Sequence, residues 1–305
     1  MKKTFYSHGK LLITGEYAVL DGALSLALPT RFGQSMEVER IKESIIKWES
    51  RDTEDNTWFQ ADIPLPLSTP GNNTGKETSE SHSTLLKLIK TAEQQQPEFF
   101  ASETGFKVVC HLGFPRDWGL GSSSTLVNNI AQWTDTDPYL LLAESFGGSG
   151  YDIACARQQS PLLYQRTENR PIIETVEFDP SFSDSLYFVH LNQKQNSRDG
   201  IRTYRESTAD KRSLVKKVSQ ITHALIEATH LDEFASYLEK HEQLISRVIG
   251  LPMVKEKLFP DYTGSIKSLG AWGGDFVLAA GGTDTPEYFR TKGYQTIVPY
   301  REMIL

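Results

Sequence analysis

The sequence predicts an α+β protein built from two modest domains. Three observations lead there. The chain has 305 residues, more than one minimal core needs and suited to two domains of roughly 100 to 200 residues each. Short apolar, strand-like runs border glycine-rich turns. Residues 211–249 carry a sustained helical periodicity.

The elements follow in chain order. Residues 10–14 form an apolar run that leads into Gly15, and residues 41–48 alternate in part, so the opening reads as β. Residues 51–83 are polar and hold Pro64, Pro66, Pro70, Gly71 and Gly75, which predicts a long loop or insertion. Residues 84–92 place Leu85, Leu86, Leu88 and Ile89 on a helical face, with Ser83 as the N-cap. A strand is expected over 106–112, then a glycine-rich turn, then a helix over 122–133. Residues 185–191 (SLYFVHL) read as β. Two helices are expected over 211–249, broken near His230, with Leu214, Val218, Ile221 and Leu225 on one face and Phe234, Leu238 and Ile245 on the other. A second glycine-rich turn precedes a strand over 276–280.

Charge narrows the functional classes. The 32 Lys and Arg against 39 Asp and Glu leave a net charge of -7, so no global field attracts nucleic acid or anionic lipid, and any phosphate binding must be local. Cys110 and Cys155 stand far apart, fitting neither a disulfide framework nor a metal knuckle, and a reducing cytoplasm is the expected location. Lys2 and Lys3 are followed only by the short run Leu11, Leu12, Ile13, too brief for an export signal. No apolar stretch is long enough to span a bilayer. The sequon-like Asn72, Asn73, Thr74 reads as a chance match in a polar loop. The expected partner is a small molecule, with neither nucleic acid nor membrane.

The chemistry concentrates in four segments. In GLGSSST (residues 119–125) two glycines let the backbone approach a ligand, and the serines open a helix whose free amides can hold an anion. The loop lacks the Lys of a P-loop, and Ser124 stands where a dinucleotide fingerprint has its third small residue. The seven histidines form no HExxH or short ligand pair, and no GxSxG elbow is present, so zinc and serine hydrolase chemistry are not indicated. Alone, GLGSSST would be a plain helix cap.

It is accompanied by SHGKLLITGEYAVLDG (residues 7–22), GGSGYDIA (147–154) and KSLGAWGGDFVLAAG (267–281). With these three in this order, the chain resembles the GHMP kinases, the superfamily of galacto-, homoserine, mevalonate and phosphomevalonate kinases, across nearly its whole length. The GYDIA wording is similar to that of one bacterial subgroup. The resemblance implies a two-domain α+β fold, an N-terminal domain like ribosomal protein S5 domain 2 over residues 1–183 and a ferredoxin-like domain over 184–305, with substrate in the cleft between them.

It also implies ATP and Mg2+ as cofactors and a set of site residues. Asp152 matches the catalytic aspartate that takes the acceptor hydroxyl's proton, and Lys10 matches the lysine beside it, which would lower the Asp152 pKa. Gly119, Leu120, Gly121, Ser122, Ser123 and Ser124 match the loop around the β and γ phosphates, with Ser123 reaching magnesium. Glu16, Tyr17, Gly273 and Gly274 fall in the first and third motifs, at substrate-binding positions. Such a constellation suits phosphoryl transfer, which needs in-line positioning and spread of positive charge more than covalent help.

Two positions depart from the family. Where mevalonate kinase-like members carry a magnesium glutamate, this chain has Leu141, with Glu144 as the nearest candidate metal ligand, and Trp272 interrupts the glycines of the third motif. Trp272 is open between packing and stacking on a ligand. GEYAVL and the Gly274–Asp275 pair point toward mevalonate or phosphomevalonate as acceptor, with another small alcohol or sugar, or a non-catalytic ATP-binding sensor, as alternatives. Lys194, Ser197, Arg198 and Arg202 lie within a short span, and Lys194 and Arg198 are the candidates for an anionic end of the acceptor.

Overall fold

The structure is a computed structural model that describes residues 2–67, 79–101, 104–193 and 197–305. It divides into two compact units that interleave along the chain: Met1–Gly9, Phe32–Arg116 and Leu120–Arg157 in the first, and Lys10–Arg31, Asp117–Gly119 and Gln158–Leu305 in the second. Strands β1 (Lys2–Leu12) and β2 (Ser25–Ile41), which pair with each other, run through both.

In the first unit the later part of β2 belongs to a sheet ordered β4-β3-β5-β2, where β3 is Ile45–Arg51, β4 Thr57–Pro64 and β5 Gly105–Leu112. The β3 and β5 pair is parallel and the others antiparallel. Helices α1 (Glu80–Gln95), α2 (Pro97–Phe100), α3 (Ser122–Thr134), α4 (Pro138–Ser145) and α5 (Tyr151–Arg157) complete the unit. Its core joins Met36, Val38, Ile46, Trp48, Val108 and Cys110 of the sheet to Leu85, Leu88 and Ile89 of α1 and to Val127, Ile130 and Trp133 of α3.

Three sequence expectations change here. Residues 41–48 are not one strand, because β2 ends at Ile41 and β3 begins at Ile45 after a turn in which Ile45 N donates to Glu43 O. The polar stretch after Arg51 is not all loop. It contains β4, which buries Ala61 and Ile63 while Thr57, Gln60 and Asp62 face outward and mask the strand's apolar alternation. Helix α1 starts a turn earlier than expected, with Ser79 as the N-cap accepting from His82 N. The sequon-like Asn72 to Thr74 lies outside the described residues.

The second unit pairs the first part of β2 with β6 (Leu162–Gln165), and β6 with β7 (Ile172–Thr175). After β8 (Leu186–His190) come α6 (Ser197–Glu206), α7 (Lys211–Glu227), α8 (Leu231–Ile249), α9 (Val254–Leu258), β9 (Ser265–Leu269), β10 (Phe276–Ala280), α10 (Thr285–Thr291), β11 (Ile297–Pro299) and α11 (Tyr300–Met303). A fully antiparallel sheet runs β11-β8-β10-β9. Helices α7 and α8 break at His230 and bury Leu214, Val218 and Leu225 of one and Phe234, Leu238 and Ile245 of the other. Ile221, expected on the same face, is only partly buried. Among the described residues no helix is long and apolar enough to cross a membrane.

Candidate active site

The glycine loop takes the backbone shape its residues permit. Gly119 and Gly121 both have left-handed φ, 65° and 90°, a region that glycine enters without the penalty other residues meet. Gly121 is the N-cap of α3 and brings no side chain to accept from the first-turn amides, which leaves those donors to an anion. Ser124 Oγ donates to Gly121 O at 2.8 Å, while Ser123 is exposed and Leu120 fully buried. The helix behind the loop is pinned by buried amides. Asn129 Nδ2 donates to Gln34 O at 3.0 Å, and Ser7 Oγ donates to Asn129 Oδ1 and accepts from Asn128 Nδ2, each at 2.8 Å.

Lys10, at the end of β1, donates from Nζ to Gly119 O at 2.8 Å. On the same residue's other side a Cβ would run into the Asp275 carboxylate, so Gly119 is required by space as well as by φ. Asp275 is 8% exposed and itself has φ 52°, held by Asp275 N donating to Gln193 O and Leu191 N donating to Asp275 O, both at 2.8 Å. Lys10, Gly119 and Asp275 are thus brought together.

The turn after β1 is buried and charged. Glu16, expected at the substrate, is 3% exposed, and its Oε1 accepts from Lys267 Nζ at 2.7 Å. Burial pushes the Glu16 pKa up against the pull of Lys267. His241 Nε2 lies 3.5 Å from Glu16 Oε2, but the two form no ion pair. The Nε2 lone pair already accepts Gly15 N–H at 2.8 Å, and burial holds the imidazole pKa well below its ordinary value, so His241 is neutral with its proton on Nδ1. Glu242 accepts from Ser268 N, at 3.1 Å and 3.2 Å to its two oxygens. Burial, with Glu16 adding and Lys267 opposing, pushes the Glu242 pKa up to about 7.

Tyr17 follows with φ 57° and ψ -45°, a conformation costly for a residue with a side chain, on the order of 1–3 kcal/mol. Its ring stacks on Tyr204 at 5.8 Å, and its hydroxyl accepts from Trp272 N at 3.2 Å. Trp272 packs into the cluster around Tyr17 and Tyr204, with its indole N–H donating to Pro252 O at 3.0 Å. The glycines beside it shape the turn between β9 and β10: Gly273 N donates to Ser268 Oγ at 3.2 Å and Gly274 N to Ala271 O at 2.9 Å.

Asp152 is half-buried in the first turn of α5, where Ile153 N donates to its Oδ1 at 3.0 Å. Helix α3 packs against both α4 and α5, so the loop serines, Asp152 and Glu144 ride on neighbouring helices. Glu144 is exposed near the end of α4, and Leu141 is fully buried in the core. Arg198 lies in the first turn of α6, whereas Lys194 lies outside the described residues.

The sequence matches no family model and no curated protein sequence. Its fold is matched closely. The Streptococcus pneumoniae phosphomevalonate kinase bound to phosphomevalonate and AMPPNP is 17% identical with TM-score 0.68, covering 95% of each chain. The L. major mevalonate kinase in complex with R-mevalonate is 13% identical, TM-score 0.68, covering 95% of this chain and 90% of that one. Lactococcus lactis galactokinase complexed with galactose is 11% identical, TM-score 0.69, covering 95% and 88%. The chain has the GHMP kinase fold.

Within this GHMP fold, Lys267, Glu242, His241 and Asp275 are the residues whose contacts sequence reasoning missed. Asp275 was visible only as the residue after Gly274 within the third motif, and Lys267 only as the one opening it. The donor set also bears on magnesium. Among the described residues no three His, Cys, Asp or Glu side chains gather around a cation position. An exposed Ser123 hydroxyl at an uncapped helix start is compatible with Mg2+, which binds through one or two protein oxygens plus substrate phosphates rather than in an all-protein cage.

Proposed function

We propose that the protein is an ATP-dependent small-molecule kinase of the GHMP type, with mevalonate or phosphomevalonate as acceptor. The observation that carries this reading is the loop from Gly119 to Ser124, where two left-handed glycines open a 13-residue helix whose N-cap has no side chain to occupy its amides. The loop amides hold the nucleotide's β and γ phosphates. Asp152 accepts the proton of the acceptor hydroxyl as its oxygen bonds to the γ phosphorus and the bond to ADP breaks. Lys10, already fixed at Gly119 O, contributes positive charge at the loop. Ser123, with Glu144 as a candidate, holds Mg2+, which when bound neutralises phosphate charge.

The acceptor assignment is supported by the mevalonate and phosphomevalonate kinases among the structures of the same fold. Lys194 and Arg198 are the residues proposed to meet the acceptor's anionic end. The test is transfer of label from γ-labelled ATP to mevalonate, phosphomevalonate and galactose, with the product identified by phosphorus NMR. ATP-dependent phosphorylation of one of the first two, abolished in Asp152→Asn, is expected. Nucleotide binding with no transfer to any of the three acceptors overturns the reading in favour of a non-catalytic ATP-binding protein.

A further inference from the structure

The turn after β1 is held by charges that take no direct part in phosphoryl transfer. Lys267 Nζ donates to Glu16 Oε1 at 2.7 Å and to Ser268 O at 2.9 Å, and lies 3.8 Å from Glu242 Oε2. Lys267 is fully buried, Glu242 is 1% and Glu16 3% exposed. Lys267 is the one cation that faces both carboxylates, Lys10 adds a weaker pull on Glu16 alone, and the neighbouring imidazole is neutral because its Nε2 accepts Gly15 N–H. With both carboxylates ionised the cluster carries an excess negative charge away from water, which is strongly disfavoured. A single proton removes the excess. Glu16 holds the ammonium at direct hydrogen-bond distance, whereas Glu242 stands farther off and is met by the backbone N–H groups of Ser268 and Val254. The proton therefore belongs on Glu242.

We propose that Glu242 is a proton-carrying positioning residue: protonated, it leaves Lys267 to Glu16 and locks the strained Gly15–Tyr17 turn, and deprotonated, it competes for Lys267 and loosens that turn. The pKa of about 7 to which burial raises Glu242 places the change near neutrality. The charged groups around Glu242 are Lys267 on β9, Glu16 on the turn, Glu239 on its own helix, and Lys255 and Glu256 on α9. Lys255 is engaged by Gly264 O at 2.6 Å and stands 3.8 Å from Glu239, so it does not neutralise Glu242. Those α9 residues and Glu242 share the wall of a cavity of about 340 Å³, a route for proton exchange. Tyr17 feels the same charge, since Glu242 is among the groups that raise its phenol pKa after burial.

The catalytic consequence rests on the kinase reading, but the lock does not. Hydrogen exchange of residues 13–22, followed by mass spectrometry and corrected for intrinsic rates, reads the lock without substrate. Protection in the wild type should fall by up to about tenfold per pH unit as pH rises from about 5 to 7 and level off above that, and Glu242→Gln, an isostere of the protonated form, should abolish that dependence. Equal pH dependence in both proteins, or none in the wild type, overturns the proposal. Infrared titration of the wild type is the second measurement: loss of a buried protonated carboxyl band between about pH 6 and 8 supports it, and an unchanged band overturns it. If the chain phosphorylates an acceptor, that acceptor's KM should rise over the same interval in the wild type and stay flat in Glu242→Gln. A chain without kinase activity leaves the exchange result fully decisive.

Discussion

Lys10 Nζ donates to the carbonyl oxygen of Gly119 at 2.8 Å, tying the end of β1 to the first glycine of the loop. The contact both anchors the loop backbone and sets a positive charge beside it. Lys10→Met removes both, and turnover should fall by roughly 100-fold or more, with ATP affinity weakened as well. Steady-state kinetics with isothermal titration of nucleotide checks this. Unchanged turnover would show that the lysine only braces the loop.

Asp152→Asn keeps the shape of the α5 first turn, including an oxygen for Ile153 N, while removing the proposed base. Nucleotide affinity should remain near wild type as turnover falls by roughly 100-fold or more, the scale of general base loss. Combined with Lys10→Met the loss should be less than additive, since the proposed kinase reading has both residues act on one charge arrangement. Near-normal turnover in Asp152→Asn removes it from the base role.

Gly119→Ala meets two obstacles, the left-handed φ of 65° and the Asp275 carboxylate where its methyl would sit. The φ cost is about 1 kcal/mol, and the clash adds to it because Asp275 is fixed by two backbone hydrogen bonds. Midpoint denaturant concentration should drop measurably, and nucleotide binding should weaken in the fraction that remains folded. Gly121→Val tests the cradle itself: binding should be lost in a protein whose circular dichroism is unchanged, and retained affinity would reduce the loop to a helix cap.

The loop, α3, and the α7 and α8 pair were legible because their signals are local: glycines before serines, and apolar residues at helical spacing. The charged lock was not, because its partners are far apart in sequence. Lys267 pairs with Glu16 across 251 positions, and strand alternation gives no warning, since all five residues of β9 are buried. Strand β4 escaped for the opposite reason, its outward Thr57, Gln60 and Asp62 reading as loop. Glycines marked where backbone bends sharply, but nothing in GEYAVL announces that Tyr17 itself carries a positive φ.

Stability should decline as pH rises toward neutrality. Glu242 and Glu16 both have folded pKa values raised by burial. Their stabilising effect is fully present below the ordinary carboxylate value of 4.5 and is lost as pH rises through the folded value, about 7 for Glu242. One proton over that window corresponds to roughly 3 kcal/mol. Urea unfolding at several pH values between about 5 and 8 should show the decline, and Glu242→Gln should flatten it in part. Rising stability over the same range would contradict the charge count in the cluster.

Gly200 stands in α6 where a Cβ would press on the Tyr17 ring, 2.9 Å from Cε1 and closer still to the hydroxyl. Two effects oppose each other in Gly200→Ala. Helix propensity favours alanine by up to about 1 kcal/mol. Against it, the ring has little room to yield: it is stacked on Tyr204, its hydroxyl accepts Trp272 N–H, and its backbone is already strained. Overpacking against a pinned neighbour costs about 1–3 kcal/mol, so the contact wins and the variant should be destabilised by about 1 kcal/mol or more. Helix α6 must then shift away from Tyr17, carrying Arg198 in its first turn. The acceptor KM should therefore rise while the ATP KM stays near wild type, and a Gly200→Ala protein as stable as wild type with both constants unchanged would show that α6 and Tyr17 do not set the acceptor's position.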